Sequence, residues 1–256
     1  MARVISIANQ KGGVGKTTTS VNLSACLAQK NKKVLLVDID PQGNATSGLG
    51  VEGREGKSVY DVIINEVDMK ETLRETMLKK LYVCPANIDL AGAEVELVSM
   101  VSRETRLKDA IDSVRDEFDY IIIDCPPSLG LITLNAFTAS DSVLVPIQCE
   151  YYALEGLGQL INTIKLVQKH LNKALEIEGV VLTMYDSRTN LSTQVAHEVE
   201  KYFGNKVFQT IIPRNIRLSE APSHGLPISL YDKESKGSET YKKLAKELIL
   251  LNEKGV

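Results

Sequence analysis

Short apolar runs recur along the chain, and helix-like segments lie between them. Seven runs are predicted strands: residues 4–8, 34–37, 81–84, 120–123, 143–147, 180–184 and 207–212. Several of these runs are almost wholly apolar instead of alternating, which is typical of strands covered on both faces in a parallel sheet. The pattern therefore predicts a sheet with helices on both faces.

Helical spacing is clearest in residues 154–171, where apolar side chains recur at every third or fourth position: Leu154, Leu157, Leu160, Ile161, Ile164, Val167 and Leu171. Such a stripe predicts a helix that buries one face. Residues 238–252 carry a second stripe opposite a charged face, formed by Tyr241, Leu244, Ala245, Leu248 and Ile249. Strands alternating with such helices predict a doubly wound, mostly parallel α/β fold with right-handed crossovers.

Composition is that of an ordinary globular protein, with 43% hydrophobic and 25% charged residues among 256. We predict one domain over residues 1–256, with the polar stretch at 51–57 as a loop. The formal net charge is -3, so any binding to nucleic acid must come from a local patch. No run approaches the ~20 apolar residues that cross a bilayer, and no signal peptide precedes the first strand. These features predict a cytoplasmic protein.

Cysteine and histidine spacing gives no sign of a metal site. The four cysteines are scattered without a C-x-x-C pair and are expected to be buried, reduced thiols: Cys26, Cys84, Cys125 and Cys149. The histidines, His170, His197 and His224, are far apart in sequence. His170 is expected to end a helix, where a positive charge is favourable.

A loop rich in glycine and lysine lies directly between the first predicted strand and a helix that starts near Lys16. It reads Lys11-Gly12-Gly13-Val14-Gly15-Lys16-Thr17-Thr18. Glycines let backbone N–H groups turn towards phosphate oxygens, and a helix N-terminus adds partial positive charge. We expect the loop to bind ATP, with Lys16 on the β- and γ-phosphates and Thr17 on Mg²⁺.

This loop departs from the common phosphate-binding pattern G-x-x-x-x-G-K-[ST], because Gln10 stands where the first glycine would be. It carries instead an additional lysine, Lys11, which we expect beside an anion; the alternative is a solvated surface lysine. A dinucleotide-binding G-x-G-x-x-G would run from Gly13 and would lack its last glycine, since Thr18 occupies that position.

Two acids, Asp38 and Asp40, follow the second predicted strand. In an open α/β sheet, ligands bind beyond the carboxyl ends of the strands, so one or both acids are expected to face the phosphates. We assign Asp40 to orienting the attacking water and Asp38 to the surroundings of Mg²⁺. The alternative is that these acids cap the turn at residues 41–43.

The apolar run 120–123 ends in Asp124, which matches the Walker B pattern. The pattern is weak alone, because many buried strands end in Asp, but it is strong after a phosphate loop. Asp124 is therefore predicted to hold Mg²⁺ through water. Cys125 beside it is expected to be packed, and Ser128 lacks the G-x-S-x-G context of a nucleophile.

Residues 11–18, 38–44 and 123–128 together resemble the deviant Walker motifs of the ParA/MinD ATPases. Segments 148–156, 186–190 and 212–225 are similar to the chromosomal ParA branch, and the resemblance covers essentially the whole chain. It implies a single-domain P-loop NTPase fold. The longer plasmid ParA proteins carry an N-terminal DNA-reading extension. This chain begins at the first strand, so neither that extension nor operator-specific repression is expected.

The resemblance implies a slow, Mg²⁺-dependent ATPase that works as a switch. ATP is sandwiched between two protomers, and Lys11 reaches the phosphates bound by the partner. The ATP-bound homodimer binds double-stranded DNA on the nucleoid without sequence preference. A ParB-type protein stimulates hydrolysis, and the dimer then separates and releases DNA. Such cycles partition chromosomes or plasmids.

The family's functional residues map onto matching positions here. Lys11, Lys16 and Asp40 take the catalytic roles, and Pro213 and Asn215 lie beside the adenine. DNA contacts map to Arg188 and Arg217, with Lys233 and Lys236 as further candidates. By itself each arginine is more simply a solvated surface residue, but a symmetric dimer would double both into one basic surface.

Three alternatives remain open. A MinD-like membrane-associated positioning ATPase would need a C-terminal amphipathic helix that enters lipid, whereas the stripe at 238–252 fits a helix packed on the domain. An electron-transfer iron protein would need cluster cysteines, for which Cys125 and Cys149 are poorly placed. A scaffold that binds ATP without hydrolysis is disfavoured by the presence of Asp40.

Overall fold

The computed structural model of the chain describes residues 1–53, 55–151 and 156–254. In these ranges a seven-stranded sheet has the order β3-β4-β2-β5-β1-β6-β7. The strands are β1 Arg3–Ile7, β2 Val34–Asp38, β3 Arg74–Glu75, β4 Leu81–Cys84, β5 Tyr120–Asp124, β6 Ser142–Gln148 and β7 Glu176–Thr183. All neighbours pair in parallel except β3, which is antiparallel to β4.

Helices connect these strands across both faces of the sheet. Within the described ranges they are α1 Lys16–Gln29, α2 Asn44–Gly48, α3 Val59–Asn65, α4 Leu90–Val98, α5 Arg106–Val114, α6 Leu131–Ala139, α7 Leu157–His170, α8 Asn190–Phe203, α9 Ile216–Glu220, α10 Ile228–Tyr231 and α11 Lys236–Lys254. The predicted mostly parallel α/β fold is confirmed, and α7 ends at His170 as expected.

The two faces of the sheet bury separate apolar cores. Side chains alternate along a strand, so neighbours in β2 serve opposite faces. Leu35 packs with the core that includes α3 to α8, whereas Leu36 packs with the core that includes α1 and α11. Both side chains are fully buried. Burial on both faces explains why these strands read as continuous apolar runs.

The helix α11 packs on the domain, as its stripe predicted. Tyr241, Leu244, Ala245 and Leu248 are buried, and the Tyr241 hydroxyl is hydrogen-bonded to Thr19 of α1 at 3.2 Å. The four cysteines are also buried and free. Among the described residues, no helix has both the length and the apolar character required to cross a membrane.

The prediction of a strand at 207–212 is wrong. The backbone N–H groups of Gln209 and Thr210 donate to the Glu247 carboxylate of α11, at 2.6 and 3.0 Å. They are therefore unavailable to a sheet. The run contacts β7 through the N–H groups of Phe208 and Ile212, and isolated bridges form at Val207 and Pro213. The two-residue strand β3 was not predicted, because Arg74–Glu75 carries no apolar signal.

The predicted helix at 154–171 is confirmed from Leu157 onward. Leu157, Leu160, Ile164 and Val167 are buried, whereas Leu171 follows the helix and is exposed. Leu154 lies outside the described residues, as do Arg54 of the polar loop at 51–57 and part of the segment 148–156.

Candidate nucleotide-binding site

Three strands that are distant in sequence end side by side at the carboxyl edge of the sheet. β5 lies between β1 and β2, with Ile7 opposite Asp124 and Asp38 opposite Asp124. The loop after β1 therefore meets the acids that end β2 and β5. The sequence motifs converge on one site because the strand order brings their ends together.

The loop at residues 11–17 needs glycine for two different reasons. Gly13 and Gly15 have φ of 73° and 85°, in the left-handed region that side chains disfavour. Gly12 has no positive φ. A Cβ built on Gly12 or Gly13 would meet nothing within 4 Å. The chain itself leaves that space open, as a phosphate approaching the backbone requires.

Two residues that sequence reasoning missed hold this loop in place. Asn9 donates through Nδ2 to the Pro146 carbonyl at 2.7 Å and accepts from the Lys11 N–H at 3.0 Å. The Thr183 hydroxyl donates to the Val14 carbonyl at 2.8 Å. Asn9 follows β1 directly, and a polar residue at a strand end beside a phosphate loop was the available signal. Thr183 lies at the end of β7, and its sequence context gave no signal of this role.

Lys16 begins α1 and is only 7% exposed. Its Nζ donates to the Lys11 carbonyl at 3.1 Å, a neutral acceptor. Burial lowers the pKa of Lys16, and Asp124 and Asp40 oppose that shift. A buried ammonium with a neutral partner is strongly attracted to an anion, which suits a phosphate ligand. Lys11 is half-buried and makes no ion pair within the described ranges.

The Asp124 carboxyl is fully buried, and its two oxygens differ. Oδ1 accepts a 2.7 Å hydrogen bond from the Ser20 hydroxyl, whereas Oδ2 has no hydrogen-bond partner within the described part of the chain. Burial and then Asp38 raise the pKa of Asp124 to about 8, and the Ser20 and Thr17 hydroxyls oppose the shift. An orphaned carboxylate oxygen beside Thr17 fits a Mg²⁺ ion held through water.

Asp38 is also buried, and its hydrogen bonds are local. Oδ1 accepts from the Asp40 N–H at 3.1 Å, and Oδ2 accepts from the N–H and the hydroxyl of Thr46, both at 2.8 Å. Burial raises the pKa of Asp38 to about 6. These contacts are with residues 40 and 46, on either side of the turn at 41–43. A role near Mg²⁺ stays a prediction.

Asp40 lies at the same edge of the sheet, with a partly exposed carboxylate. Oδ1 accepts from the Gln42 N–H at 3.0 Å, and the negative charge lies near enough to Lys16 to oppose the lowering of its pKa. The structure thus places Asp40 with the loop and Asp124, as predicted. Its action on water stays a prediction.

A cavity of about 100 Å³ adjoins the loop, and its lining includes Gly15, Thr18, Pro213, Asn215 and Tyr241. The predicted adenine-side residues therefore lie next to the phosphate loop. The Asn215 Oδ1 accepts from the Arg217 N–H at 2.8 Å and caps α9. Tyr241 was expected only as a core residue.

The segments that carry Arg188 and Arg217 lie side by side. The Arg214 N–H donates to the Tyr185 carbonyl at 3.0 Å, which joins the loop after β7 to the start of α9. Both arginines are exposed and paired with acids. Arg188 pairs with Asp186 at 2.7 Å, and Arg217 pairs with Glu220 at 2.9 Å and with Asp232 at 3.5 Å.

Known proteins match this chain along its length. A family model described as an AAA domain matches residues 2–177. The chain is 64% identical over 249 residues to the sporulation initiation inhibitor protein Soj of Bacillus subtilis (strain 168), and the match covers 97% of this chain and 98% of that protein. It is 57% identical to the chromosome partitioning protein ParA of Myxococcus xanthus (strain DK1622), over 97% of this chain and 88% of that one.

A solved structure has the same fold. It is described as cobyrinic acid a,c-diamide synthase from Mycobacterium smegmatis with bound ATP analog and magnesium. The TM-score is 0.88 at 40% sequence identity, and the match covers 100% of this chain and 98% of that one.

Proposed function

Because the chain belongs to the ParA/MinD family of ATPases with a deviant Walker A loop, we propose that it is an ATP-dependent dimerising switch for chromosome or plasmid partitioning. In the ATP state the homodimer binds double-stranded DNA without sequence preference and is associated with the nucleoid in the cytoplasm. A ParB-type protein stimulates hydrolysis. Residues 1–256 act as one ATPase domain.

The observation that carries this proposal is the joint placement of a buried lysine and a half-satisfied buried acid beside an open glycine loop. Among the described residues, Lys16 forms no ion pair and one oxygen of Asp124 has no hydrogen-bond donor. A triphosphate with Mg²⁺ supplies both missing partners, since the phosphates take the lysine and water bound to the metal donates to the acid.

Catalysis follows from these positions. Backbone N–H groups of Gly12, Gly13 and Gly15 hold the phosphates, and Lys16 stabilises the charge that develops during phosphoryl transfer. Thr17 and Asp124 hold Mg²⁺, which neutralises phosphate charge when bound. Asp40 orients the attacking water. Lys11, which pairs with no acid in the part of the chain that the structure describes, extends to the nucleotide of the second protomer.

The DNA surface is formed by Arg188 and Arg217 of both protomers. Their ion pairs with Asp186, Glu220 and Asp232 are exposed, and exposed pairs contribute only about 0–1 kcal/mol each. A DNA phosphate can therefore replace these acids at small cost. Two arginines per protomer give four in a dimer, and DNA affinity then depends on ATP.

The relative named for chromosome partitioning guides this choice. It is 57% identical to this chain, against 40% for the Mycobacterium smegmatis protein described as a synthase. A membrane-associated switch is less well supported, because the apolar stripe of α11 is buried against the domain and is not free to enter lipid.

The test is an ATPase assay with double-stranded DNA and with a peptide from the N-terminus of a ParB-type protein, each alone and then together. We expect slow basal turnover and a rate with both additions that exceeds the sum of the separate effects. The same assay with anionic lipid vesicles is the comparison. Stimulation by vesicles in place of DNA would contradict the partitioning function and favour the membrane-associated alternative.

A further inference from the structure

Helix α4 carries apolar side chains on its exposed side as well as on its buried side. Its sequence, Leu90 to Val98, contains two charged residues, Glu94 and Glu96. Leu90, Ala93 and Leu97 face the core and are fully buried. The opposite side, extended by the residues that flank the helix, exposes Ile88 at 65%, Val95 at 76%, Val98 at 59% and Val101 at 83%. We call these four residues the outer face of α4.

Apolar residues on two sides of a helix are typical of a helix that is covered on both sides. Single exposed apolar residues on a surface need no explanation, but four of them on one short helix and its flanks indicate an interaction site. Burying such side chains against a partner removes apolar surface from water, which favours association. The outer face of α4 therefore indicates a partner surface.

Contacts of the two glutamates show where α4 lies. Oε1 of Glu94 adjoins Gly130, the residue that precedes α6, so closely that a Cβ at Gly130 would come within 2.1 Å. The Glu96 carboxylate accepts from the Tyr60 hydroxyl in the first turn of α3. Since α3 and α6 both begin at the carboxyl edge of the sheet, α4 lies across that edge.

The carboxyl edge is also where the nucleotide site lies. The segment from Asp124 to Gly130 connects the end of β5 to the contact with Glu94, so the outer face of α4 belongs to the same side of the molecule as Lys11 and Asp40. Moreover, Oε1 of Glu94 is buried without a hydrogen-bond partner among the described residues. The outer face of α4 and the unpaired Oε1 of Glu94 thus lie on the same side of the molecule as Lys11, which has no acidic partner among the described residues.

We propose that the outer face of α4 packs against a second copy of this chain in the ATP-bound dimer. The inference rests on the proposed ATP-dependent dimerisation and adds the apolar surface that stabilises it. We assign this surface to a second copy because it lies at the same carboxyl edge of the sheet as Lys11. From that edge Lys11 is proposed to contact the nucleotide of the second protomer. A two-fold axis would use the same patch on both protomers and bury it twice. Attraction between the ATP phosphates and Lys11 of the second protomer would hold the dimer by charge. The outer face of α4 adds the burial of apolar surface.

The first test compares Val95→Glu and Val98→Glu with Leu166→Glu in an Asp40→Ala background, which is expected to keep ATP intact. Leu166 on α7 is 58% exposed and matches Val98 in exposure. Dimer formation with ATP is measured by sedimentation, and ATP binding is measured separately. We expect both valine variants to bind ATP while their dimer dissociation constant rises by about tenfold or more, with Leu166→Glu unchanged.

Two failures are distinguishable in this design. If Asp40→Ala alone stays monomeric with ATP, the proposed function fails. If it dimerises and both valine variants dimerise equally well, only the role of the outer face of α4 is overturned. Val98→Glu keeps the test decisive should Val95→Glu not fold.

A second test uses maleimide labelling of Val95→Cys and Leu166→Cys, again with Asp40→Ala. The four native cysteines are buried, so the introduced thiol reacts first. We expect ATP to slow labelling at position 95 about tenfold or more while position 166 stays unchanged. Protection of position 95 by a ParB-type protein alone, without an effect of ATP, would assign the face to that partner and overturn the proposal.

Discussion

The Ser20 hydroxyl donates a 2.7 Å hydrogen bond to Oδ1 of Asp124, while Oδ2 of the same carboxyl has no partner within the described part of the chain. Ser20 lies one helical turn after Lys16 on α1 and fixes the orientation of the acid. One oxygen is thus used for positioning, and the other is left for water bound to Mg²⁺.

The first prediction concerns Asp124→Asn. Burial and Asp38 raise the pKa of Asp124 to about 8 from an ordinary value of 3.8. The folded state therefore keeps a proton that the unfolded chain releases, so stability falls as pH rises from about 4 to 8. We expect Asn to increase the free energy of unfolding at neutral pH, on the order of 2 kcal/mol, and to abolish Mg²⁺-dependent hydrolysis.

Urea unfolding of the nucleotide-free protein between pH 5 and 9 checks the first prediction. The free energy of unfolding should decline less steeply with pH in Asp124→Asn than in wild type. The decline that remains below about pH 6 is expected from Asp38, whose pKa is raised to about 6. Asp186→Asn is the control. Hydrogen bonds from Arg188 lower the pKa of Asp186 to about 2, so that carboxyl stays ionised over the tested range. Equal slopes in Asp124→Asn and wild type would contradict the assignment.

Lys16→Ala should abolish ATP binding. Its ammonium is buried beside the loop and, among the residues described, donates only to a neutral carbonyl. Its loss therefore removes the main positive charge that faces the phosphates. We expect affinity for a fluorescent ATP analogue to fall about 100-fold or more.

Lys11→Ala is the matched control for that substitution, since both remove one lysine from the same loop. We expect this variant to bind ATP as a monomer and to lose ATP-dependent dimerisation. Equal loss of nucleotide binding in both variants would show that Lys11 acts on the nucleotide of its own protomer.

Asp40→Ala should retain ATP and accumulate as a dimer bound to DNA. The carboxylate of Asp40 lies at the site and, within the described ranges, accepts only from the Gln42 N–H. One oxygen is therefore free to orient water, and removal of the carboxylate leaves the phosphate contacts intact. Sedimentation with ATP and a DNA fragment measures the outcome. A variant that stays monomeric with ATP, or hydrolyses ATP at the rate of wild type, would rule out this role.

Arg217→Glu should lose DNA binding and keep ATP-dependent dimerisation. The substitution removes one phosphate contact per protomer and adds repulsion. Each contact contributes about −0.9 to the slope of log affinity against log salt, so the slope for a dimer should shrink by about 2 wherever binding remains measurable. Filter binding over a salt series provides the measurement.

Lys108→Glu is the control for charge. Lys108 lies on α5, on the opposite face of the sheet, and pairs with Asp112. Lys108→Glu changes the net charge by the same amount as Arg217→Glu. If DNA binds to a local basic surface, this variant should bind DNA about as well as wild type. Equal loss in both variants would mean that overall charge, and not Arg217, sets the affinity.

The sequence by itself determined the local parts of this protein. Buried strands of a parallel sheet are continuous apolar runs, so six of the seven were recognisable. The phosphate loop could be identified because Gly13, Gly15 and Lys16 must follow one another in the chain to surround a phosphate. The stripe of α11 likewise identified a packed helix.

Only the tertiary structure decided what depends on strand order and on contacts between distant segments. Asp38 and Asp124 lie 86 positions apart, and they meet because β2 and β5 are neighbours in the sheet. Glu247 takes the N–H groups of residues 209 and 210, which is why the apolar run there is no strand. The exposure of one side of α4 likewise depends on tertiary contacts and could not be predicted from the sequence. An apolar pattern shows that a side chain should be buried, but not whether its own chain or a second copy covers it.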